Sequence, residues 1–229
     1  MCSIDGSPVV EHVVNRVRKA NNVDKTVIAT STEPQDNVTR DTGERIGVDV
    51  IRGSEADVLQ RFQVAVEKYT PEVILRVTAD CPLISPSVIE YAVNQLEGTD
   101  ADYTSNTFTR TFPRGLDIEA FTVKSFLYMA EKATGSHYKE HVTPYYREHP
   151  DQFELQEITS EEVFEEDQMQ GRTDLRLTLD EPADYKLLQQ IYEEIEYEEI
   201  LSVRSAIRYI DREGLQNINA HIEQKSVKQ

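Results

Sequence analysis

The stretch Val73-Ile-Leu-Arg-Val-Thr-Ala-Asp-Cys-Pro-Leu-Ile84 decides the fold, because an apolar run breaks in it into an Asp, a Cys and a Pro. Residues 73–78 are mostly apolar or β-branched, which is typical of a strand buried on both faces. Asp80 follows the carboxyl end of that strand, the edge at which open parallel α/β sheets bind ligands. Ser85-Pro86 then predicts the cap and first residue of a helix. A tight turn in which Asp80 has only a structural role is the alternative.

Length and composition predict one α/β domain spanning residues 1–229, with no linker, repeat or membrane span. The two cysteines, Cys2 and Cys81, favour a reducing cytoplasm. The net charge of -18 opposes a nucleic-acid or anionic-membrane partner, so we expect neither. This excess of acid, with Arg more frequent than Lys, favours a halophile-like, high-salt cytoplasm. A melting temperature that fails to rise in molar KCl would contradict that expectation.

The order of the predicted elements is unusual at the start of the sequence. A helix opens at Ser7-Pro8, before the first predicted strand at 26–31, although a parallel sheet normally feeds each helix from a preceding strand. Farther along, residues 116–121 alternate apolar and acidic, which predicts a strand with Asp117 and Glu119 on one face. A solvated sheet edge is the alternative for that pair.

The segment Leu175-Arg-Leu-Thr-Leu179 repeats the pattern of the deciding stretch, because Asp180 and Pro182 follow it and a helix then begins. Taken alone, Asp180 is also explained as a carboxylate at a helix N-terminus. Two carboxylates at strand ends suit Mg²⁺, which binds one or two carboxylates together with substrate phosphates. Such an ion neutralises charge that develops during phosphoryl transfer. The sequence therefore predicts a Mg²⁺ site at Asp80 and Asp180.

His137, Glu140 and His141 match the letters H-x-x-E-H of a zinc protease motif. That chemistry needs both histidines on one face of a helix and a further ligand downstream. Pro144 follows His141 by three residues and leaves room only for a short helix. We therefore do not expect zinc here.

The motifs together resemble the sugar cytidylyltransferases, especially the branch named for spore-coat polysaccharide biosynthesis. More distantly they resemble the synthetases that activate acylneuraminate and 3-deoxy-manno-octulosonate with CTP. The resemblance covers residues 6–192, through GSPVVEHVVNRV, VIATS, RGSEADVLQRF, RVTADCPLI, SNTFTRTFPRGLDIEAF, KEHVTPYYREHP and LRLTLDEPADY. It implies an α/β class, Rossmann-like three-layer nucleotidyltransferase fold with a mostly parallel sheet. Beyond the resemblance, the local pattern predicts a helical C-terminal extension at about 197–229.

The resemblance also implies roles for individual residues. The Mg²⁺ ligands and catalytic residues would be Asp80 and Asp180; the nucleotide would contact Arg52, Ser54, Asp57, Arg76 and Thr78; the sugar would contact Asn106, Arg114, Asp117, Glu119 and His141. The implied reaction is in-line attack of a sugar hydroxyl, such as that of an acidic acylneuraminate-like sugar, on the α-phosphate of CTP. Pyrophosphate is the leaving group, and a homodimer is implied as well.

The sequence departs from the family pattern at its start. Family members begin with a strand and a basic, Gly-rich loop of the kind QARMGSTRLPGK, and this sequence starts after that position. We therefore expect the 229-residue chain alone to be poorly stable and nearly inactive, and an upstream-extended chain to be active. A sugar-nucleotide-binding homologue with impaired catalysis is one alternative. A glycosyltransferase of related fold is another alternative. Such enzymes commonly carry a D-x-D metal motif after a strand, but the matching residues here, Asp100-Ala-Asp102, precede a predicted strand.

Overall fold

A computed structural model describes residues 2–223 of the chain. Short strands and helices alternate along it. The strands are β1 (Ser3–Ile4), β2 (Ser7–Pro8), β3 (Val27–Ser31), β4 (Asp49–Gly53), β5 (Val73–Arg76), β6 (Tyr103–Ser105), β7 (Glu119–Thr122) and β8 (Leu155–Glu157). The helices are α1 (Val9–Val17), α2 (Asn37–Arg45), α3 (Val58–Tyr69), α4 (Pro86–Gly98), α5 (Val123–Lys132), α6 (Ser136–His141), α7 (Pro144–Glu148), α8 (Ser160–Val163), α9 (Pro182–Glu194) and α10 (Val203–Glu213). Short 3₁₀ turns lie at Pro34–Asp36, Asp167–Met169 and Leu215–Asn217.

The largest sheet is mixed, in the order β5-β7-β6-β8. β7 runs antiparallel to both β5 and β6, whereas β8 runs parallel to β6. The prediction of a mostly parallel sheet is therefore wrong in this part of the fold. The reason is the connection from β6 to β7, which has no crossover helix and so returns the chain antiparallel. The register places Arg76 of β5 opposite Glu119 of β7.

The second sheet contains β3 and β4, which run parallel and are connected through α2. Within residues 2–223, β3 pairs with no strand other than β4, and β5 pairs with no strand other than β7. The chain segment before α1 forms the small antiparallel ladder of β1 and β2. The sequence predicts no strand before α1, and in the structure α1 follows this short hairpin.

The deciding stretch forms a shorter and less buried strand than the sequence predicts. β5 ends at Arg76 rather than at residue 78, and all four of its residues are only partly buried. This follows from its place at the edge of the sheet, where one side of the strand has no neighbouring strand. The helix after it begins as predicted, with Pro86 in its first turn.

The main hydrophobic core lies among α1, α4, α9 and α10, and it also receives residues from the loops around Leu116 and Leu177. Each fully buried aliphatic side chain contributes about 1.5–3 kcal/mol relative to an exposed one. Ile207 and Ile210 of α10 are completely buried in this core. Residues 197–223 of the predicted extension therefore contribute to the same core. Residues 224–229 lie outside the described residues.

The predicted strand at 175–179 is not a regular strand. It is extended, but its ladder is a single parallel bridge between Arg114 and Arg176. The bridge is close because Gly115 has φ +95° and lies where a Cβ would come within 2.5 Å of the Leu177 carbonyl carbon. None of the helices in residues 2–223 is long and apolar enough to span a membrane.

Candidate functional site

Asp80 and the segment before Asp180 lie side by side beyond the end of β5. The Leu179 N–H donates to the Asp80 carbonyl oxygen at 2.9 Å, and the Thr178 hydroxyl donates to Asp80 Oδ2 at 3.2 Å. Asp80 is half-buried, and the Asp180 side chain is 43% exposed. The two acidic residues singled out by the repeated sequence pattern therefore belong to adjacent segments at one edge of the fold.

Asp180 binds Arg176, and Arg176 also forms a buried ion pair with Asp184. Arg176 donates through Nη2 to Asp180 Oδ2 at 2.5 Å and through Nε to Asp184 Oδ1 at 2.9 Å. Asp184 is completely buried. Burial raises the pKa of Asp184, but hydrogen bonds from Arg176, the Asp180 N–H, Asn219 and the Glu181 N–H outweigh it and lower that pKa overall.

The helix-capping explanation of Asp180 does not match this geometry. The N-cap of α9 is Glu181, and Asp184 accepts the Glu181 N–H at 3.0 Å. Asp180 lies one residue before the cap, and its carboxylate contacts Arg176. The Asp180 carboxylate therefore binds Arg176 and does not cap the helix.

Glu119 is the centre of a second buried network. Its carboxylate accepts hydrogen bonds from Arg76, from the Tyr103 hydroxyl at 2.6 Å and from the Thr143 hydroxyl at 2.6 Å. Arg147 lies 3.7 Å away. Burial raises the pKa of Glu119, but Arg76 and the two hydroxyls reverse that effect and lower it. Burial next to Glu119 raises the pKa of Tyr103.

This network decides one alternative that the sequence left open, and it shows which partners two predicted site residues have in the structure. Glu119 is 6% exposed and lies on β7, the strand between β5 and β6, so the solvated-edge alternative is wrong. Arg76 and Glu119, predicted to contact the nucleotide and the sugar respectively, bind each other. Asp117 precedes β7, and Arg110 binds its two carboxylate oxygens at 2.7 and 3.3 Å.

Arg114 is half-buried beside this group of charges. Burial lowers the pKa of Arg114, and Arg110 and Arg176 lower it further, whereas Asp117 raises it. Within residues 2–223, no carboxylate lies within ion-pair distance of the Arg114 guanidinium. Its charge is therefore available to an anionic ligand.

Asn106, which stays a predicted contact of the sugar, binds two backbone groups in this structure. It is completely buried. Its side-chain amide donates to the Leu116 carbonyl at 2.7 Å, and its oxygen accepts the Ile118 N–H at 2.9 Å. Both polar ends of the side chain therefore close the loop between β6 and β7.

His141 is the last residue of α6, a helix of six residues. The centroids of the His141 and His137 rings are 5.1 Å apart, and His137 Nε2 lies 3.6 Å from Glu148 Oε1. The next residue, Val142, has φ +68° and ψ -62°, and the Thr143 N–H bonds the His141 carbonyl across it. This strained γ-turn directs the Thr143 hydroxyl to Glu119.

The remaining residues predicted to contact the nucleotide form a separate group at the end of β4 and the start of α3. Arg52 donates to the Ser31 carbonyl at 2.8 Å and to Asn37 at 3.0 Å, so its guanidinium holds the loop after β3. Asp57 caps α3 and forms an ion pair with Lys139 at 3.3 Å. Ser54 is exposed and lines a cavity of about 360 Å³ with Asp57.

Thr78 lies at the other group, beyond the end of β5. It is exposed, and its hydroxyl is 3.2 Å from the Cys81 sulfur. Burial, followed by the charge of Asp80, raises the pKa of the Cys81 thiol. In the described part of the chain, no direct hydrogen bond or ion pair joins Thr78 or Arg76 to the group at Arg52, Ser54 and Asp57.

Several residues of these networks were not found by sequence reasoning, namely Tyr103, Arg110, Thr143, Arg147, Arg176, Asp184 and Asn219. Asp184 and Arg176 flank Asp180 within the quoted LRLTLDEPADY segment, so their nearness to Asp180 was a usable signal. Arg110 likewise lies in the same loop as Arg114. Asn219 carries no local signal, because its partners are 35 and 43 residues away.

A family model described as Cytidylyltransferase matches residues 1–213. The chain belongs to the cytidylyltransferase family. This confirms the resemblance found in the sequence, and the family match includes Asp80, Asp180 and both buried networks except Asn219.

Known relatives of this cytidylyltransferase-family chain cover most of its length. It is 32% identical over 222 residues to an uncharacterized protein of Methanocaldococcus jannaschii, covering 96% of this chain and 87% of that one. It is 29% identical over 209 residues to the spore coat polysaccharide biosynthesis protein SpsF of Bacillus subtilis, covering 89% and 83%. A solved cytidylyltransferase structure from Leptospira borgpetersenii superposes with a TM-score of 0.85 at 26% identity, covering 97% and 90%. The Rossmann-like nucleotidyltransferase fold is thereby confirmed, with mixed sheets.

The donor set at Asp80 and Asp180 fits a magnesium ion. Both offer carboxylate oxygens, the ligands that Mg²⁺ prefers, and both side chains reach solvent from adjacent segments. In residues 2–223, no group of three or more His, Cys, Asp or Glu has a metal-binding arrangement. Two carboxylates match a metal that is completed by substrate phosphates, as opposed to a closed all-protein site.

Proposed function

We propose that this cytidylyltransferase-family protein transfers CMP from CTP to the hydroxyl of a sugar, with an acidic sugar as the acceptor, in polysaccharide or glycan biosynthesis. The single observation that carries the proposal is the placement of Asp80 against the segment that leads to Asp180. Family membership supports cytidylyl transfer, and the name of the Bacillus subtilis relative supports a polysaccharide pathway.

The local charge supports an anionic substrate even though the whole chain carries -18. The carboxylates Asp80, Asp117, Glu119, Asp180 and Asp184 are accompanied by the guanidinium groups of Arg76, Arg110, Arg114, Arg147 and Arg176. A triphosphate that approaches this edge therefore meets a balanced cluster in place of the repulsive field of the rest of the surface. Arginine is also suited to recognise phosphate and carboxylate through paired hydrogen bonds.

In this proposal Asp80 and Asp180 hold Mg²⁺, which would neutralise charge on the phosphate oxygens during transfer. Arg114 binds the acidic group of the sugar, and Asp117 orients Arg110 beside it. Thr78, Ser54 and Asp57 remain the proposed contacts of the base and ribose. Arg76 and Glu119 form an ion pair that fixes the position of β5 against β7.

The test is pyrophosphate release from CTP and Mg²⁺ in the presence of a panel of acidic and neutral sugars. We expect release with an acidic sugar, a result that would contradict the sequence expectation of a nearly inactive 229-residue chain. Asp80→Asn or Asp180→Asn should lower the rate about 10² to 10³-fold. Asp151→Asn, at an exposed position, is the matched control and should retain full activity.

One observation favours the alternative of a binding protein with impaired catalysis. Arg176 holds the Asp180 carboxylate at 2.5 Å; in the binding protein this ion pair would take the place of a metal, whereas in the transferase it orients the carboxylate. That alternative predicts CTP binding without pyrophosphate release. The transferase predicts release that disappears on chelation of the metal.

A further inference from the structure

The segment that follows α10 folds back onto the main core. Leu215 and Ile218 pack against that core, and Asn219 is 2% exposed. The Ile222 N–H bonds the Asn219 carbonyl at 3.0 Å and closes a turn there. This segment lies beyond residues 1–213, which the family model matches.

The Asn219 side chain completes the buried ion pair behind Asp180. Its amide nitrogen donates to Asp184 Oδ1 at 2.8 Å and to the Arg176 carbonyl at 2.9 Å. Asp184 in turn holds Arg176, and Arg176 holds Asp180. A continuous series of polar contacts therefore connects the segment after α10 to a candidate metal ligand.

We propose that Asn219 is a positioning residue that sets the orientation of the Asp180 carboxylate through Asp184 and Arg176. The inference rests on the proposed function, because only there does Asp180 bind a metal. Its physical basis is that a fully buried carboxylate must keep its donors. If Asn219 is lost, Asp184 recruits Arg176 more strongly, and the Arg176 contact that orients Asp180 changes. Loss of a direct partner of a metal ligand, the position that Arg176 has here, typically lowers metal affinity about 10- to 100-fold, and Asn219 acts through that partner, so the lower end of the range applies to it.

The competing explanation is that Asn219 only anchors the segment after α10. An anchor affects the free energy of unfolding, but it leaves the metal affinity of the folded protein unchanged. The two explanations therefore differ in a measurement that is made on folded protein and needs no turnover.

The experiment measures binding of Mn²⁺ by electron paramagnetic resonance, on the full chain with a non-hydrolysable CTP analogue. The variants are Asn219→Ala, Asn219→Ser, which retains one hydroxyl donor, and Asn217→Ala, an exposed control two residues away. Asp80→Asn and Asp180→Asn establish where the wild-type ion binds. Circular dichroism selects folded samples, and Asn219→Ser carries the test if Asn219→Ala does not fold.

We expect Asn219→Ala to weaken Mn²⁺ binding about tenfold or more, Asn219→Ser to weaken it less, and Asn217→Ala to bind as the wild type does. Wild-type Mn²⁺ affinity in the folded Asn219 variants, together with its loss in Asp180→Asn, would overturn the positioning role and leave the proposed function intact. Wild-type Mn²⁺ binding that is insensitive to Asp80→Asn and Asp180→Asn would overturn the metal site itself and this inference with it.

Discussion

Arg76 and Glu119 face each other across β5 and β7, and the Arg76 guanidinium donates a hydrogen bond to the buried Glu119 carboxylate. Tyr103 and Thr143 donate to the same carboxylate from β6 and from the turn before α7. Glu119 thus joins β5, β6 and the turn before α7 to β7, although these elements are distant in sequence.

Replacement of Glu119 by Gln should destabilise the protein by about 2–4 kcal/mol, because removing one partner of a buried ion pair leaves the other uncompensated. The cost falls short of the largest measured values because Arg76 and Arg147 are 21% and 40% exposed and can regain water. Urea unfolding at pH 7 measures the change. Glu131→Gln, whose side chain is 74% exposed, is the control and should change stability by less than about 0.5 kcal/mol. Equal effects of the two substitutions would contradict the role of the network.

Stability should fall as the pH is lowered below the ordinary carboxyl pKa values. Glu119 and Asp184 have pKa values below their ordinary 4.5 and 3.8, so the folded state binds protons less readily than the unfolded state. Their stabilisation is complete above those ordinary values and is lost as the pH falls through the folded-state pKa values. Urea midpoints between pH 6 and pH 3 should therefore decrease, and Glu119→Gln should decrease less steeply than the wild type. Parallel curves for the two proteins would rule out Glu119 as a contributor.

Gly115→Ala should destabilise the protein by about 2–5 kcal/mol, since the residue combines positive φ with a Cβ position occupied by the Leu177 and Thr178 backbone. Gly98→Ala is the matched control, because Gly98 lies at the end of α4 with open space around it. Thermal unfolding compares the two. The displaced backbone leads directly to Thr178 and Asp80, so Mn²⁺ binding by Gly115→Ala should weaken as well. A stable Gly115→Ala variant would show that the bridge at Arg114 is not tightly constrained.

Arg114→Ala should raise the KM for the acidic sugar about tenfold or more, with a smaller change in the KM for CTP, because a hydrogen bond to a charged group contributes about 1.5–3 kcal/mol. Arg114→Lys keeps the charge and should recover part of the loss. Arg212→Ala, with a side chain that is 70% exposed, controls for the loss of a positive charge alone. If the KM for CTP rises instead, Arg114 contacts the nucleotide.

Helices were largely predictable from the sequence, because apolar residues at helical spacing have to face a core. Val9, Val13 and Val17 of α1 illustrate this, and all three are buried in the main core. The family followed from motifs spread over most of the chain. The same local signals could not determine sheet topology, since the antiparallel placement of β7 depends on the missing crossover between β6 and β7.

The site was less predictable, because the role of a charged residue depends on partners that are distant in sequence. The alternation at 116–121 predicted one strand with a wet face, but β7 begins at Glu119 and leaves Asp117 outside it. The pattern could not show that Tyr103 and Thr143 bind and bury Glu119. The guanidinium of Arg52 binds the loop after β3, a contact that the local sequence did not indicate, and its predicted contact with the nucleotide stays a prediction. Leu175 and Leu177 are buried, as the predicted strand requires. A regular strand also needs a neighbouring strand that pairs with it over several residues, and this segment has a single bridge.

The single-sided pairing of β3 and β5 has a consequence for the behaviour of the protein at high concentration. A strand edge without a neighbouring strand is a template for a strand of another molecule, and β3, with the sequence Val-Ile-Ala-Thr-Ser, carries no charge to deter it. Arg61 donates one hydrogen bond to the Ala29 carbonyl and blocks part of β3. Ile28, Thr30 and Ser31 of β3 are also buried in the fold, and mutual repulsion between molecules that each carry -18 adds to this protection. Salt screens that repulsion, so high ionic strength should favour self-association through these edges.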